Sequence, residues 1–198
     1  MSTRLKQELR KIYYVKRREV SIPLRQQASR AAAEYLLQSE DFNQSHHIAC
    51  YTPFRDEFDS NPVIQSIWQA NKQCYLPVLT EKKELFFVLY NEGDKLLTNR
   101  YSILEPENTV RKISAQSLDM VVTPLVVFDA AGHRLGTGGG YYDRTFAFLR
   151  QDKKAKKPIL IGLAFALQQA EHVPTDPWDV NLQAVITENG IIVATNHF

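Results

Sequence analysis

The stretch MVVTPLVVFDAAGHRLGTGGGYYD, residues 120–143, decides the fold. Its first nine residues are apolar and rich in β-branched side chains, and they predict a buried strand despite Pro124. The chain then turns through glycines into residues 141–150, whose pattern is helical. Working outward, residues 47–51 and 74–79 read as strands flanking a helix that Ser60 caps and Pro62 begins, which makes a βαβ unit. Residues 84–90 form a further strand, residues 158–165 a continuous apolar one, and residues 184–187 and 190–194 a hairpin around Asn189-Gly190. Two helices open the chain. Leu5, Leu9 and Ile12 mark the apolar face of the first, and Leu24, Ala28, Ala31, Tyr35 and Leu36 that of the second, which Ser21 precedes. Strands alternating with helices predict an α/β fold: one domain over residues 1–198, a layered, mostly parallel sheet with helices on both faces and a C-terminal hairpin.

Composition narrows the function. The formal charge of +2 is far from the basic excess of a nucleic-acid binder, so any anion site must be local. No window approaches 18 apolar residues and the N-terminal segment has no apolar core, which predicts a cytoplasmic protein without a membrane segment. Cys50 and Cys74 lie in separate apolar runs and read as buried thiols in a reducing compartment. The run Lys153, Lys154, Lys156 and Lys157 reads as a solvated turn before a strand rather than a polyphosphate patch.

The residues that bear on chemistry lie mainly in the glycine-rich loop. Gly136, Gly138, Gly139 and Gly140 allow positive φ and close backbone approach, so successive N–H groups and the following helix start can face an anion. Taken alone, these glycines equally describe a flexible βα loop. Arg134 before them and Tyr141, Tyr142 and Asp143 after them add a cation, aromatic surface and a hard oxygen ligand, which together are the parts of an Mg-nucleotide site. Neither a Walker A motif nor a dinucleotide fingerprint fits. Lys6 and Arg10 share one helix face, either as a phosphate clamp or as a solvated surface, and Arg17 continues that face only approximately. Asp56, Glu57 and Asp59 stand between a strand end and a helix start, where capping alone would account for them. The five histidines show no metal-ligand spacing apart from the adjacent His46 and His47, so zinc is not expected, and His133 reads as a surface turn residue. Trp68 reads as core and Trp178 as an exposed loop aromatic at the rim of a site.

The string from Arg134 to Asp143 resembles the signature loop of the 5-formyltetrahydrofolate cyclo-ligase family, also called methenyltetrahydrofolate synthetases. The resemblance extends to residues 6–10, 51–57, 103–106 and 182–190. It implies a Rossmann-like three-layer α/β/α fold and ATP-driven ring closure of 5-formyltetrahydrofolate, polyglutamylated or not, with Mg²⁺ as cofactor. It also implies an ATP site formed by Lys6, Gln7, Glu8, Leu9 and Arg10 with Arg134, Leu135, Gly136, Thr137, Gly138, Gly139, Gly140, Tyr141 and Tyr142. Within that set, Arg134 and Lys6 would carry the catalytic charge. Thr52, Phe54 and Glu57 would contact folate, and Asp143 would bind the metal. Many relatives carry an acidic residue where this chain has Gln183, which leaves Asp179 as the candidate second metal carboxylate. A monomer is expected, and neither nucleic acid nor membrane is an expected partner. A sugar-phosphate isomerase or CoA-transferase relative, and a non-catalytic folate- or nucleotide-binding module, are the competing readings.

Overall fold

The computed structural model describes residues 2–152 and 157–195. Its helices are α1 (Ser2–Arg18), α2 (Ile22–Gln38), α3 (Glu40–Gln44), α4 (Asn61–Gln69), α5 (Tyr141–Thr145) and α6 (Ala147–Gln151). Its strands are β1 (His47–Ala49), β2 (Gln73–Leu79), β3 (Leu85–Leu89), β4 (Leu96–Thr98), β5 (Leu104–Pro106), β6 (Lys112–Ile113), β7 (Met120–Pro124), β8 (Val127–Phe128), β9 (Arg134–Leu135), β10 (Ile159–Leu163), β11 (Ala184–Thr187) and β12 (Gly190–Val193). Eight strands form one sheet in the order β12-β11-β10-β7-β1-β2-β3-β6. The strands from β11 through β2 are parallel, whereas β12 and β3 run antiparallel to their neighbours and β6 antiparallel to β3. The mostly parallel α/β sheet and the C-terminal hairpin are therefore present.

The strands are apolar on both faces because both are covered. Ile48, Val122, Ile161 and Ile186 face Ala28, Ala32, Ala33 and Leu36 of α2 and Val63, Ile64 and Ile67 of α4. Their neighbours Ala49, Val121, Leu160 and Val185 face Leu118 and Phe146, with Phe148 and Leu149 of α6 packed alongside. This alternation by single residues is the period-2 signature of a strand. The small alanine face of α2 lets the helix seat close to the sheet, and truncating fully buried Leu36 to Ala would cost roughly 2–5 kcal/mol.

Three expected elements are altered. The strand predicted over residues 120–128 breaks after Pro124, which has no N–H to continue the ladder, and Val127–Phe128 pairs instead with Arg134–Leu135. The helix predicted over residues 141–150 breaks at Phe146, whose fully buried ring stacks with Tyr142. Helix α1 is turned over: Leu5 and Ile12 are about half exposed, and the face it buries carries Lys6, Tyr13 and Arg17. Ser60 does not cap α4 through its side chain, because its hydroxyl donates to the Tyr51 carbonyl. Both cysteines are free and buried, and burial pushes the Cys50 thiol up to about 12, which keeps it protonated and unreactive. Lys153, Lys154, Lys156 and His197 lie outside the described residues; Lys157 donates to Asp119 at 2.7 Å. Among the described residues no helix is long and apolar enough to cross a membrane.

Candidate functional site

Strand β1 pairs with β2 on one side and β7 on the other, so the sheet order reverses between β1 and β7. In doubly wound sheets the ligand crevice lies outside the carboxyl ends of the strands at that point. Here a cleft of about 1250 Å³ opens there, lined by Tyr51 and Thr52 beyond β1, Pro77 and Leu79 of β2, and Pro124 and Leu125 at the end of β7.

One pole of the cleft is cationic. Arg134, at the start of β9, is almost fully buried; its Nη1 donates to Asp143 Oδ1 at 2.9 Å, while its Nη2 is buried without a partner among the described residues. A buried guanidinium nitrogen with no acceptor is costly, and an anion seated beside it would satisfy it. The glycine loop continues from Arg134, with Gly138 and Gly140 at φ of 104° and 69°, conformations that side chains rarely adopt. Arg10 Nε donates to the Gly136 carbonyl at 2.8 Å, which ties α1 to this loop. Lys6 Nζ donates to Asp176 Oδ2 at 2.7 Å and to Asp179 Oδ2 at 2.5 Å. Burial pulls the Lys6 ammonium toward neutrality, but these two carboxylates outweigh it and hold the group above the ordinary lysine value. The three carboxylates of this pole thus each meet a cation, Asp176 and Asp179 at Lys6 and Asp143 at Arg134, while Arg10 meets a carbonyl.

The other pole is built by the loop that follows β1. Thr52 Oγ1 donates to the Leu104 carbonyl at 2.8 Å, and the Phe54 amide donates to Glu57 Oε2 at 3.0 Å. Burial raises the Glu57 carboxyl above its usual range, only partly offset by that amide and by the charge of Arg17. Burial likewise raises the Tyr142 phenol at the cleft wall, and the nearby Glu57 charge adds to it. Between the poles stands Arg17, only 3% exposed, donating from Nε to Asp56 Oδ2 at 2.8 Å and from Nη1 to the Leu125 carbonyl at 3.3 Å. It belongs to the framework of the site. Its burial is the signal the sequence did not show, because a charged residue on a basic helix reads as solvated.

Most of the expected residues converge. Lys6, Gln7, Arg10, Thr52, Phe54, Glu57, Arg134, Leu135, all four loop glycines, Thr137, Tyr141, Tyr142, Asp143 and Asp179 line one cleft, with Trp178 61% exposed at its rim. Glu8 and Leu9 do not. Glu8 points to solvent and pairs with Arg4 at 3.0 Å, while Leu9 packs against the cluster of Tyr13, Val126 and Val127, since α1 can turn only one face to the cleft. Gln183 is also elsewhere: its Oε1 accepts from the Leu160 amide at 2.6 Å, a sheet contact away from the cleft. Asp176 is an addition, found only because the fold brings it to Lys6. The donor set suits Mg²⁺, since Asp143, Asp176 and Asp179 offer hard oxygens and no described histidine or cysteine lines the cleft.

Fold and cleft together define a doubly wound α/β protein with a charged crevice at its switch point. Comparison with known proteins takes this further: residues 2–188 match the model of the 5-formyltetrahydrofolate cyclo-ligase family, and the chain belongs to that family. It is 37% identical over 185 residues to the 5-formyltetrahydrofolate cyclo-ligase of Haemophilus influenzae, covering 92% of this chain and 97% of that protein. It is 36% identical to the Escherichia coli enzyme of the same name over 179 residues, 89% of this chain and 96% of that one. The solved structure of 5,10-methenyltetrahydrofolate synthetase from Aquifex aeolicus superposes with a TM-score of 0.82 at 29% identity, over 98% of this chain and 95% of that one.

Proposed function

We propose that this chain catalyses the ATP-dependent cyclisation of 5-formyltetrahydrofolate to 5,10-methenyltetrahydrofolate, with release of ADP and phosphate. The observation that carries the reading is the partnerless buried nitrogen of Arg134 on the wall of a cleft whose opposite pole holds buried Glu57. The first suits a phosphate oxygen; the second suits the amino groups of a pterin. An N-formyl oxygen is a poor leaving group, and transfer of the γ-phosphoryl group to it makes it a good one. The oxygen–phosphorus bond forms as the bond to ADP breaks. Folate N10 then attacks the formyl carbon and loses its proton, and phosphate departs to leave the methenyl bridge.

The protein's part is to position and neutralise. Arg134, Lys6 and Arg10 would face the phosphates, with the Gly136 to Gly140 backbone giving them close approach. Thr52, Phe54 and Glu57 would seat the folate. Bound Mg²⁺ would neutralise the polyphosphate, held by Asp143 and Asp179 with Asp176 adjacent. Lys6 and Arg134 are already paired with Asp176, Asp179 and Asp143, so Mg·ATP would exchange these partners: carboxylates to metal, cations to phosphate. The chain is proposed to work as one domain and as a monomer in the cytoplasm, where its free thiols stay reduced.

The test is to mix the purified protein with 5-formyltetrahydrofolate, ATP and Mg²⁺ and follow the absorbance of methenyltetrahydrofolate. Turnover should require all three and stop in excess EDTA. Equal turnover without ATP or in EDTA would overturn the reading, and intact binding of both ligands without product would make the chain a binding module.

A further inference from the structure

Away from the cleft, three potential metal ligands meet, two of them four residues apart and the third about forty residues further along the chain. Asp129 follows β8, His133 closes the turn before β9, and His172 lies on the segment running from the 3₁₀ turn at residues 166–168 toward Asp176. One ligand atom from each lies within 4.8 Å of the other two. Asp129 Oδ2 is 2.9 Å from His133 Nδ1 and 3.9 Å from His172 Nδ1, and the two rings meet edge to face. None of the three lines the cleft.

The carboxylate is held in place by its surroundings. Asp129 is 3% exposed; its Oδ1 accepts from the amides of Ala131 and His133, and its Oδ2 from the amide of Val173 at 2.9 Å. Such outer bonds fix the orientation of a ligand before an ion arrives. His172 is largely exposed and leaves a way in from solvent.

We propose that Asp129, His133 and His172 bind one divalent transition-metal ion of the zinc class, at a site separate from the nucleotide cleft. Two ligand atoms bonded at about 2.0–2.1 Å in tetrahedral geometry sit about 3.3 Å apart, between the separations now present, so small rotations of the two rings complete the set. One carboxylate and two neutral imidazoles bring a single negative charge to a doubly positive ion, with solvent filling the fourth position. Imidazole nitrogens favour zinc, nickel or copper over Mg²⁺. On binding, the His133 Nδ1 lone pair goes to the metal; any proton there moves to Nε2 or to solvent, and the contact with Asp129 is replaced by two metal bonds.

The experiment uses the untagged chain in excess Mg²⁺, titrated with Zn²⁺ and melted with and without it. Wild type should bind one zinc ion at this site and melt about 2–4 °C higher or more. His172→Ala should keep the melting temperature of the metal-free protein, since that side chain is exposed, and should lose zinc affinity by about tenfold or more. A double variant of the other described histidines, His46→Ala with His47→Ala, should bind like wild type. Cu²⁺ loaded into wild type should show nitrogen hyperfine coupling that His133→Gln alters. Equal zinc binding by wild type and His172→Ala, or loss only in the His46 and His47 variant, would overturn the assignment.

Discussion

Arg134 and Glu57 hold their charges where water screens them poorly, so each should show a consequence of burial as well as of chemistry. Arg134→Ala removes the partnerless donor and the pair with Asp143 together. A charge-assisted hydrogen bond contributes about 1.5–3 kcal/mol, so the Michaelis constant for ATP should rise about tenfold or more while folate affinity, measured by equilibrium titration, stays within about twofold. Comparable losses for both ligands would remove Arg134 from the phosphate pole. Glu57 has the opposite signature. Its folded carboxyl is raised by burial, so the folded state binds its proton more tightly than the unfolded one, and stability falls as pH climbs from the ordinary carboxylate range through the folded value. Glu57→Gln keeps an acceptor for the Phe54 amide without the buried charge. The variant should melt higher than wild type at pH 7.5, with the gap closing toward pH 4.5, and it should bind folate more weakly. A gap independent of pH would show that the charge is not what the site strains to hold.

At the scale of elements, the turn before β9 and the glycine-rich loop after it put the same residue to two uses. A Cβ on Gly132, at φ of 83°, would stand 2.3 Å from the Leu182 carbonyl oxygen, whereas one on Gly136 would meet nothing within 4 Å. Gly132→Ala should therefore cost about 1–3 kcal/mol from backbone conformation alone, before the clash, and appear as a lower melting temperature or poor soluble yield. Gly136→Ala should melt like wild type yet use ATP less well, because the added methyl projects where only ligand would be. If Gly136→Ala melts early and Gly132→Ala does not, the structural and the binding glycine have been exchanged. The same loop shows what a sequence can reveal. Its turn was legible because turn chemistry is local, and so were the parallel strands, whose apolar runs need no partner to be recognised, but the breaks at Pro124 and Phe146 on either side of it were not. Helix α1 was misread because Lys6 and Arg17 are buried by carboxylates distant in the chain, a property that helical periodicity does not contain. Asp129 and His172 were missed for the same reason: their meeting is made by the fold.

Across the whole molecule, Arg17 joins what would otherwise be two half-sites. It fastens the helix that carries Lys6 and Arg10 to the loop that carries Glu57, through Asp56, and to the end of β7, through Leu125. Arg25 adds to this junction by donating to the carbonyls of Asp56 and Arg17. Arg17→Met keeps much of the volume but strands Asp56 and a backbone carbonyl, which should cost about 3–5 kcal/mol and weaken ATP and folate together. A variant that lost only one ligand would show that the two poles are positioned independently. The long span of the Lys6 contacts has a further consequence. Lys6 meets Asp176 and Asp179 across 170 and 173 residues of chain. A ribosome adding about 5–20 residues each second leaves α1 outside the exit tunnel for roughly ten to thirty seconds before its acidic partners are made. During that interval Lys6 remains solvated like any surface cation. A chain that stops short of residue 176 therefore lacks both carboxylates that hold Lys6 at the cleft.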